Sequence, residues 1–173
     1  MTVGTFSLSL LETEPIRPQI GPLSAQDKLP VEALVKDTGT PIAPGTWRNI
    51  VLHGAGEGEA VAGKCHFIVD GGGIHATQNW KDQMTTSHVV PYLRGHDYNA
   101  DSIGVFVKAD FPLRKPSEAD AGKFAGLIEL VAALQQACGI DRGRVYFHSD
   151  LYPYAPGPGE EFAEWMSAQL PRD

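Results

Sequence analysis

Residues 47–53 read WRNIVLH, an apolar run that follows the turn dipeptide Pro44-Gly45 and ends on a histidine. Short runs of this kind, rich in Val, Ile or Phe and bounded by turn residues, predict buried β-strands. By this criterion strands are predicted at residues 48–53, 64–70, 101–108 and 144–148. The glycines at positions 71–73 indicate a hairpin, because glycine adopts positive φ angles at little steric cost, so an antiparallel partner strand is expected at residues 74–77.

Two periodic segments predict helices. Between residues 117 and 138 apolar side chains recur at helical spacing, with Ser117 in position to cap the first turn and Gly139 at the end. Between residues 158 and 170 a proline suits the first turn and an apolar stripe follows, and a short helical segment is also expected within residues 29–36. Strands with intervening helices predict an α/β fold, with a central mixed β-sheet flanked by helices.

The composition is that of an ordinary globular chain. With 173 residues, 42% of them hydrophobic and 20% charged, one domain is expected at residues 47–173, preceded by an extended, Pro-containing leader at residues 1–46. The net charge of −7 argues against nucleic acid as a partner, because such binding requires clustered Lys and Arg. Cys65 and Cys138 are the only cysteines, too few for a disulfide framework.

Two of the six histidines stand at the ends of predicted strands: His53 closes the first and His148 the last. A strand end lets a side chain project into a cleft while the sheet fixes its direction, so this pair is a candidate set of metal ligands or acid/base groups. The alternative is that each imidazole only hydrogen-bonds to the turn after its strand. The positions alone leave both interpretations open.

Further residues extend the pattern. After WRNIVLH come Cys65-His66-Phe67 and Gly73, then His88, Asn99 and Ser102-Ile103-Gly104-Val105, then His148-Ser149-Asp150, and finally Gly157-Pro158-Gly159 with Phe162. This order resembles the zinc-dependent N-acetylmuramoyl-L-alanine amidases, the family of phage endolysin amidases and peptidoglycan recognition proteins, over residues 47–170. The resemblance implies zinc held by His53 and His148, and peptidoglycan or a muropeptide as the partner.

Some residues that the resemblance implies are missing. The family's third zinc ligand is usually an Asp or Cys just before a Pro-Gly, where this chain has Gly157, and a catalytic zinc normally has three protein ligands. A Tyr of the second strand is replaced by Cys65, and a Glu after the Ser-Ile-Gly sequence is replaced by Phe106. Zinc is therefore expected to bind weakly or not at all. Loss of a general acid or base costs roughly a hundred- to ten-thousandfold in rate.

The remaining candidate site residues follow from the same resemblance. Cys65 is a candidate third ligand as a thiolate, the alternative being a small buried thiol. Cys65 and Tyr154 are candidate catalytic groups, and Tyr154 is the nearest counterpart of a polar residue that follows the family's late histidine. The candidate substrate-binding residues are His88, Asn99, Trp80 and Tyr154. The stretch between residues 53 and 65 is short and rich in Gly and Ala, without room for the helix that commonly forms one wall of the groove.

Cellular location is constrained only weakly by the sequence. No apolar run is long enough to span a membrane, and the first residues lack the basic region of a secretory signal peptide. We therefore expect no membrane span and synthesis in the cytoplasm. A wall substrate stays compatible with that expectation, since a phage-type lysin can leave the cell through a partner pore.

Three functions remain open from the sequence. The first is a degenerate amidase that recognises muropeptides with weak or no hydrolysis. The second is an active zinc amidase that cleaves the muramoyl-L-alanine amide bond with an atypical third ligand, and the third is a non-catalytic structural or interaction module on the same fold. Retention of two imidazoles argues mildly against the third function, and Gly157 and Phe106 argue against the second, so the first is favoured.

Overall fold

The five predicted strands all form in the computed structural model, which describes residues 30–89 and 95–171. In chain order they are β1 (Asn49–His53), β2 (Phe67–Asp70), β3 (Gly73–Ala76), β4 (Ser102–Val107) and β5 (Val145–Phe147). They build one sheet in the order β3-β2-β4-β1-β5, with β3 antiparallel to β2 and the other pairs parallel. The predicted mixed sheet and the predicted hairpin are therefore confirmed.

Burial explains why β1 and β4 read as unbroken apolar runs. Every residue of both strands is buried, as expected for parallel strands covered on both faces. By contrast, β2 alternates between buried and half-buried residues, and the edge strand β3 has no fully buried residue. The carboxyl end of β1 therefore lies inside the sheet, with a parallel strand on each side.

Helices flank the sheet, and none in the described part of the chain is long and apolar enough to cross a bilayer. In chain order they are α1 (Val31–Lys36), α2 (Glu59–Ala62), α3 (Gln78–Lys81), α4 (Glu118–Ala121), α5 (Ala125–Cys138), α6 (His148–Leu151) and α7 (Glu160–Gln169). The helix predicted at residues 117–138 forms in two parts, because a 3₁₀ turn at Gly122–Phe124 separates α4 from α5. As predicted, the Ser117 hydroxyl caps α4 by accepting a hydrogen bond from Asp120 N at 3.3 Å, and α5 ends at Gly139.

The main hydrophobic core lies between the sheet and helices α1, α5 and α7. Leu127 and Leu134 of α5, Phe162 of α7 and Val35 of α1 all belong to it. The contribution of α1 comes from the predicted leader, whose residues 1–29 lie outside the described residues. The leader segment that is described thus includes a helix packed on the domain.

The last strand ends one residue earlier than predicted. β5 stops at Phe147, and His148 is the first residue of the one-turn helix α6. The Phe147 amide donates a hydrogen bond to Asp150 Oδ2 at 2.8 Å, which closes this turn. His148 is therefore held by a short helix directly after the strand.

Candidate metal centre

His53 and His148 meet at one edge of the sheet. β1 and β5 are adjacent parallel strands, so their carboxyl ends lie side by side, with Leu52 opposite Phe147 in the register. The two imidazole rings are 4.8 Å apart between centroids, and both side chains are buried. The structure thus brings together the two histidines that the sequence analysis singled out as metal ligands.

A carboxylate that the sequence analysis missed joins the two rings. Glu57 Oε2 lies 2.8 Å from His53 Nδ1 and 2.6 Å from His148 Nδ1, and the Glu57 side chain is only 5% exposed. Glu57 ends the 3₁₀ turn Ala55–Glu57 that follows β1, which brings it back over the end of the strand. The available signal was the four-residue spacing between His53 and Glu57, in a stretch that the sequence analysis noted only as short and rich in Gly and Ala.

The electrostatics of this cluster depend on burial and on hydrogen bonds. Burial alone would raise the pKa of Glu57, but the hydrogen bonds from His148 and His53 outweigh it and lower that pKa to about 2. Burial also lowers the pKa of His53, an effect that the Glu57 carboxylate only partly offsets. At neutral pH the cluster therefore contains an ionised Glu57 carboxylate beside a His53 imidazole whose burial disfavours a proton.

The cluster has the composition of a zinc site and could hold an ion after a small adjustment of the carboxylate. One ligand atom from each of His53, Glu57 and His148 lies within 4.8 Å of the other two, and two histidines with one glutamate are a donor set of catalytic zinc. Zinc bonds of about 2.0–2.2 Å place tetrahedral ligand atoms about 3.4 Å apart, so the carboxylate would retreat by less than about 1 Å to hold an ion. Glu57 Oε1 and His148 Nε2 are buried without a hydrogen-bond partner among the described residues. These residues fit a zinc ion.

His88 lies directly behind His53. Its Nδ1 is 3.0 Å from His53 Nε2, and its Nε2 is 3.3 Å from the carbonyl oxygen of Ser102. Asn99 forms two 2.9 Å hydrogen bonds with the backbone of Val89: its Oδ1 accepts from the Val89 amide, and its Nδ2 donates to the Val89 carbonyl oxygen. His88, predicted to bind substrate, thus contacts His53, a candidate metal ligand. Asn99 holds Val89, the residue next to His88.

Gly157, the residue at the family's third-ligand position, has no room for a side chain. A Cβ built there would lie 1.9 Å from Ser149 Oγ and 2.4 Å from Ser149 Cβ. Ser149 follows His148 in α6, so Gly157 approaches the chain directly beside a candidate metal ligand. A ligand at position 157 would require the loop to move.

Apolar side chains line the inner side of the site. Phe106 is the direct neighbour of His53 in the register of β4 against β1. It packs with Cys65 and Ala62 in a small buried cluster. Burial raises the pKa of the Cys65 thiol, and Cys65 is not part of the three-residue ligand group found among the described residues. The thiol is therefore neutral at physiological pH.

The two predicted aromatic contacts lie in different environments. Trp80 is fully buried in the main core, where its indole Nε1 donates to Val35 O at 3.1 Å, so no face of its ring reaches a ligand. Tyr154 is 85% exposed and its ring lies 5.4 Å from that of Tyr152, which in turn is 6.0 Å from the His148 ring. The exposed aromatic surface near the cluster therefore comes from the segment after α6.

Solved structures with this fold include two amidases. The endolysin N-acetylmuramoyl-L-alanine amidase LysCS from Clostridium intestinale URNW matches with a TM-score of 0.50 and 20% identity, over 78% of this chain and 90% of that chain. The N-acetylmuramoyl-L-alanine amidase LysC from the same organism matches with a TM-score of 0.51 and 20% identity, over 78% and 92%. No family model and no curated protein matches the chain. At this identity the likeness concerns the fold alone, and it establishes that this chain has the α/β fold of N-acetylmuramoyl-L-alanine amidases.

Proposed function

We propose that this protein is a zinc-dependent amide hydrolase that cleaves the bond between muramic acid and L-alanine in peptidoglycan fragments, with Glu57 as its third metal ligand. The observation that carries the proposal is the buried cluster of His53, Glu57 and His148. It supplies the third ligand that Gly157 cannot provide. The fold shared with N-acetylmuramoyl-L-alanine amidases supports the substrate class.

The chain's own residues would divide the work as follows. His53 and His148 would hold the ion through Nδ1 and Glu57 through Oε2, and a zinc ion held there supplies a Lewis acid that brings the pKa of a bound water near 7. The buried ring of Phe106 keeps bulk water from the inner side of the site, which strengthens electrostatic interactions there. Tyr154 offers an exposed ring against which a sugar or peptide can pack.

Glu57 is also the group that can accept a proton at this site. Its Oε1 has no hydrogen-bond partner within residues 30–89 and 95–171, whereas its Oε2 is shared by the two imidazoles. A carboxylate that also holds a zinc ion is a weaker base than a free one, because the cation disfavours its protonated form. A dedicated general base accelerates such a reaction by roughly a hundred- to ten-thousandfold. We therefore expect the turnover of this protein to be lower than that of an enzyme with such a base, by up to that factor.

A second candidate function is recognition of muropeptides without cleavage. It is favoured by Phe106, an apolar side chain at the strand position beside His53 where the sequence resemblance implies a glutamate. In that case the cluster would bind zinc and orient the substrate, and no bond would be broken.

The experiment that tests both functions uses the full chain, freed of metal and then loaded with zinc. Purified muramoyl peptides are incubated with each form, and both peptide release and binding heat are measured. Zinc-dependent release of a peptide with a free L-alanine amine supports the hydrolase, and zinc-dependent binding without release supports the recognition function. Absence of both zinc-dependent release and zinc-dependent binding would overturn the two proposals together.

A further inference from the structure

A buried hydrogen-bond chain leads from the backbone of β4 to the candidate metal ligands. It runs from the Ser102 carbonyl oxygen to His88 Nε2 at 3.3 Å, and from His88 Nδ1 to His53 Nε2 at 3.0 Å. From His53 Nδ1 it continues to Glu57 Oε2 at 2.8 Å. His53 is fully buried and His88 is 3% exposed, so bulk water does not compete for these contacts.

The carbonyl group gives this chain a direction. An oxygen of Ser102 can only accept, so the proton in the first contact must be on His88 Nε2. A neutral His88 then has a lone pair on Nδ1 and can only accept from His53 Nε2. His53 must in turn carry a proton on Nε2, and its Nδ1 faces the Glu57 carboxylate.

In this arrangement one contact needs a proton or a cation of its own. Without either, His53 Nδ1 and Glu57 Oε2, 2.8 Å apart, would each offer only a lone pair. A proton on His53 Nδ1 makes this contact a hydrogen bond in the metal-free protein. A metal ion in the place of that proton satisfies both groups, because each can donate an electron pair to it.

We propose that His88 is a positioning residue, which fixes His53 as the Nε2–H tautomer and so directs the His53 Nδ1 lone pair to the metal position. The inference rests on the proposed zinc site. A hydrogen bond to the second ring nitrogen of a metal-binding histidine is a general means of selecting its tautomer and orientation. His148 has no such partner on Nε2 within the described residues, so this control belongs to His53.

The surroundings hold His88 in place for this role. A Cβ on Gly104 would lie 2.9 Å from His88 Cγ and 3.0 Å from its Nδ1, so the imidazole rests on a backbone position that only glycine leaves open. The hydrogen bonds of Asn99 to both backbone groups of Val89 fix the next residue in the chain. His88 is thus packed against the Gly104 backbone and follows the fixed position of Val89 in the chain.

The direct test is the tautomer of His88 in protein labelled with ¹⁵N-histidine. We expect a protonated Nε2 and an unprotonated Nδ1 on His88, with scalar coupling to His53 Nε2 across the hydrogen bond, in both zinc-free and zinc-loaded protein. A protonated His88 Nδ1 in either form would overturn the inference. The zinc-free spectrum keeps the inference testable even if the protein binds no zinc, which would overturn the proposed function instead.

A pair of variants provides the second test. His88→Gln keeps one acceptor and one donor at this position, whereas His88→Leu keeps neither, and His75→Leu removes an exposed histidine on β3 as a control. After circular dichroism has shown that the variants fold, zinc affinity is measured by competition with a chelating dye. We expect His88→Leu to weaken zinc binding by about 10- to 100-fold and His88→Gln to restore most of that loss. Unchanged affinity in His88→Leu, or a Gln variant as weak as the Leu variant, would contradict the positioning role.

Discussion

Glu57 Oε2 lies 2.6 Å from His148 Nδ1, although 91 residues separate the two in the sequence. The same oxygen contacts His53 Nδ1, so one carboxylate brings three potential metal-binding atoms together at the end of β1. Gly157 has no side-chain ligand atom, and the cluster nevertheless offers three potential ligand atoms. The third comes from Glu57, in the turn directly after β1.

Replacement of Glu57 by glutamine should separate charge from shape. Glu57→Gln keeps the side-chain volume but removes the negative charge that a zinc ion needs, so we expect zinc affinity to fall by more than the 10- to 100-fold typical of an outer-sphere group. Affinity is measured by dye competition. The control is Glu59→Gln, an exposed glutamate two residues on, which should bind zinc like the wild type. Equal affinity in the two variants would show that Glu57 is not a ligand.

A side chain at position 157 should destabilise the protein through Ser149. Gly157→Ala places a Cβ 1.9 Å from Ser149 Oγ, and overpacking of this kind costs about 1–3 kcal/mol. The double variant with Ser149→Gly removes both clashing atoms and should recover part of the loss. Urea unfolding of the four proteins gives the coupling between the two sites. Additive effects in that cycle would mean that the two residues are not in contact.

A side chain at position 104 should also destabilise the protein, and it should weaken zinc binding as well. Gly104→Ala would push the His88 ring, because the new methyl group would lie 2.9 Å from His88 Cγ, and we expect lower stability together with weaker zinc binding. Gly126→Ala is the matched control, because its nearest neighbour is Ile74 at 3.8 Å and alanine is favoured within α5 by about 0.5–1 kcal/mol. A Gly104→Ala protein with unchanged zinc affinity would contradict the link through His88.

His66 should remain neutral well below its ordinary titration range. It is fully buried, its Nε2 donates to Met84 O at 2.8 Å and its Nδ1 accepts from Gly104 N at 2.9 Å, and burial lowers its pKa to about 4. Since the unfolded chain takes up this proton first, the contribution of His66 to stability is complete above pH 6.5 and is lost as the pH falls towards 4. The difference corresponds to about 3 kcal/mol. An NMR titration in which the His66 ring changes with a midpoint near pH 6.5 would refute this.

Much of the fold could be predicted because its signals are local. The buried runs of β1 and β4 and the glycines between β2 and β3 each indicate their structure from neighbouring residues alone. The break at Gly122–Phe124 and the assignment of His148 to a helix were not predicted, since both depend on where the chain packs. Trp80 was likewise a candidate substrate-binding residue, and only the packing of α3 places it in the core.

The candidate site was predictable only in part for the same reason. His53 ends β1 and His148 directly follows β5, and a sequence pattern can reveal both positions. The approach of Glu57 to His148 depends on a 3₁₀ turn that follows a strand, and on two strands that are neighbours only in the folded sheet. The sequence resemblance implies a third ligand at Gly157, with Cys65 as a candidate substitute, whereas the carboxylate that lies in the cluster is that of Glu57.

The central claim is tested most directly by a crystal structure of the protein equilibrated with zinc, recorded on both sides of the zinc absorption edge. We expect one anomalous peak bonded to His53 Nδ1, His148 Nδ1 and a carboxylate oxygen of Glu57. A zinc-equilibrated crystal with no peak there, in which Glu57 still hydrogen-bonds to both imidazoles, would contradict it.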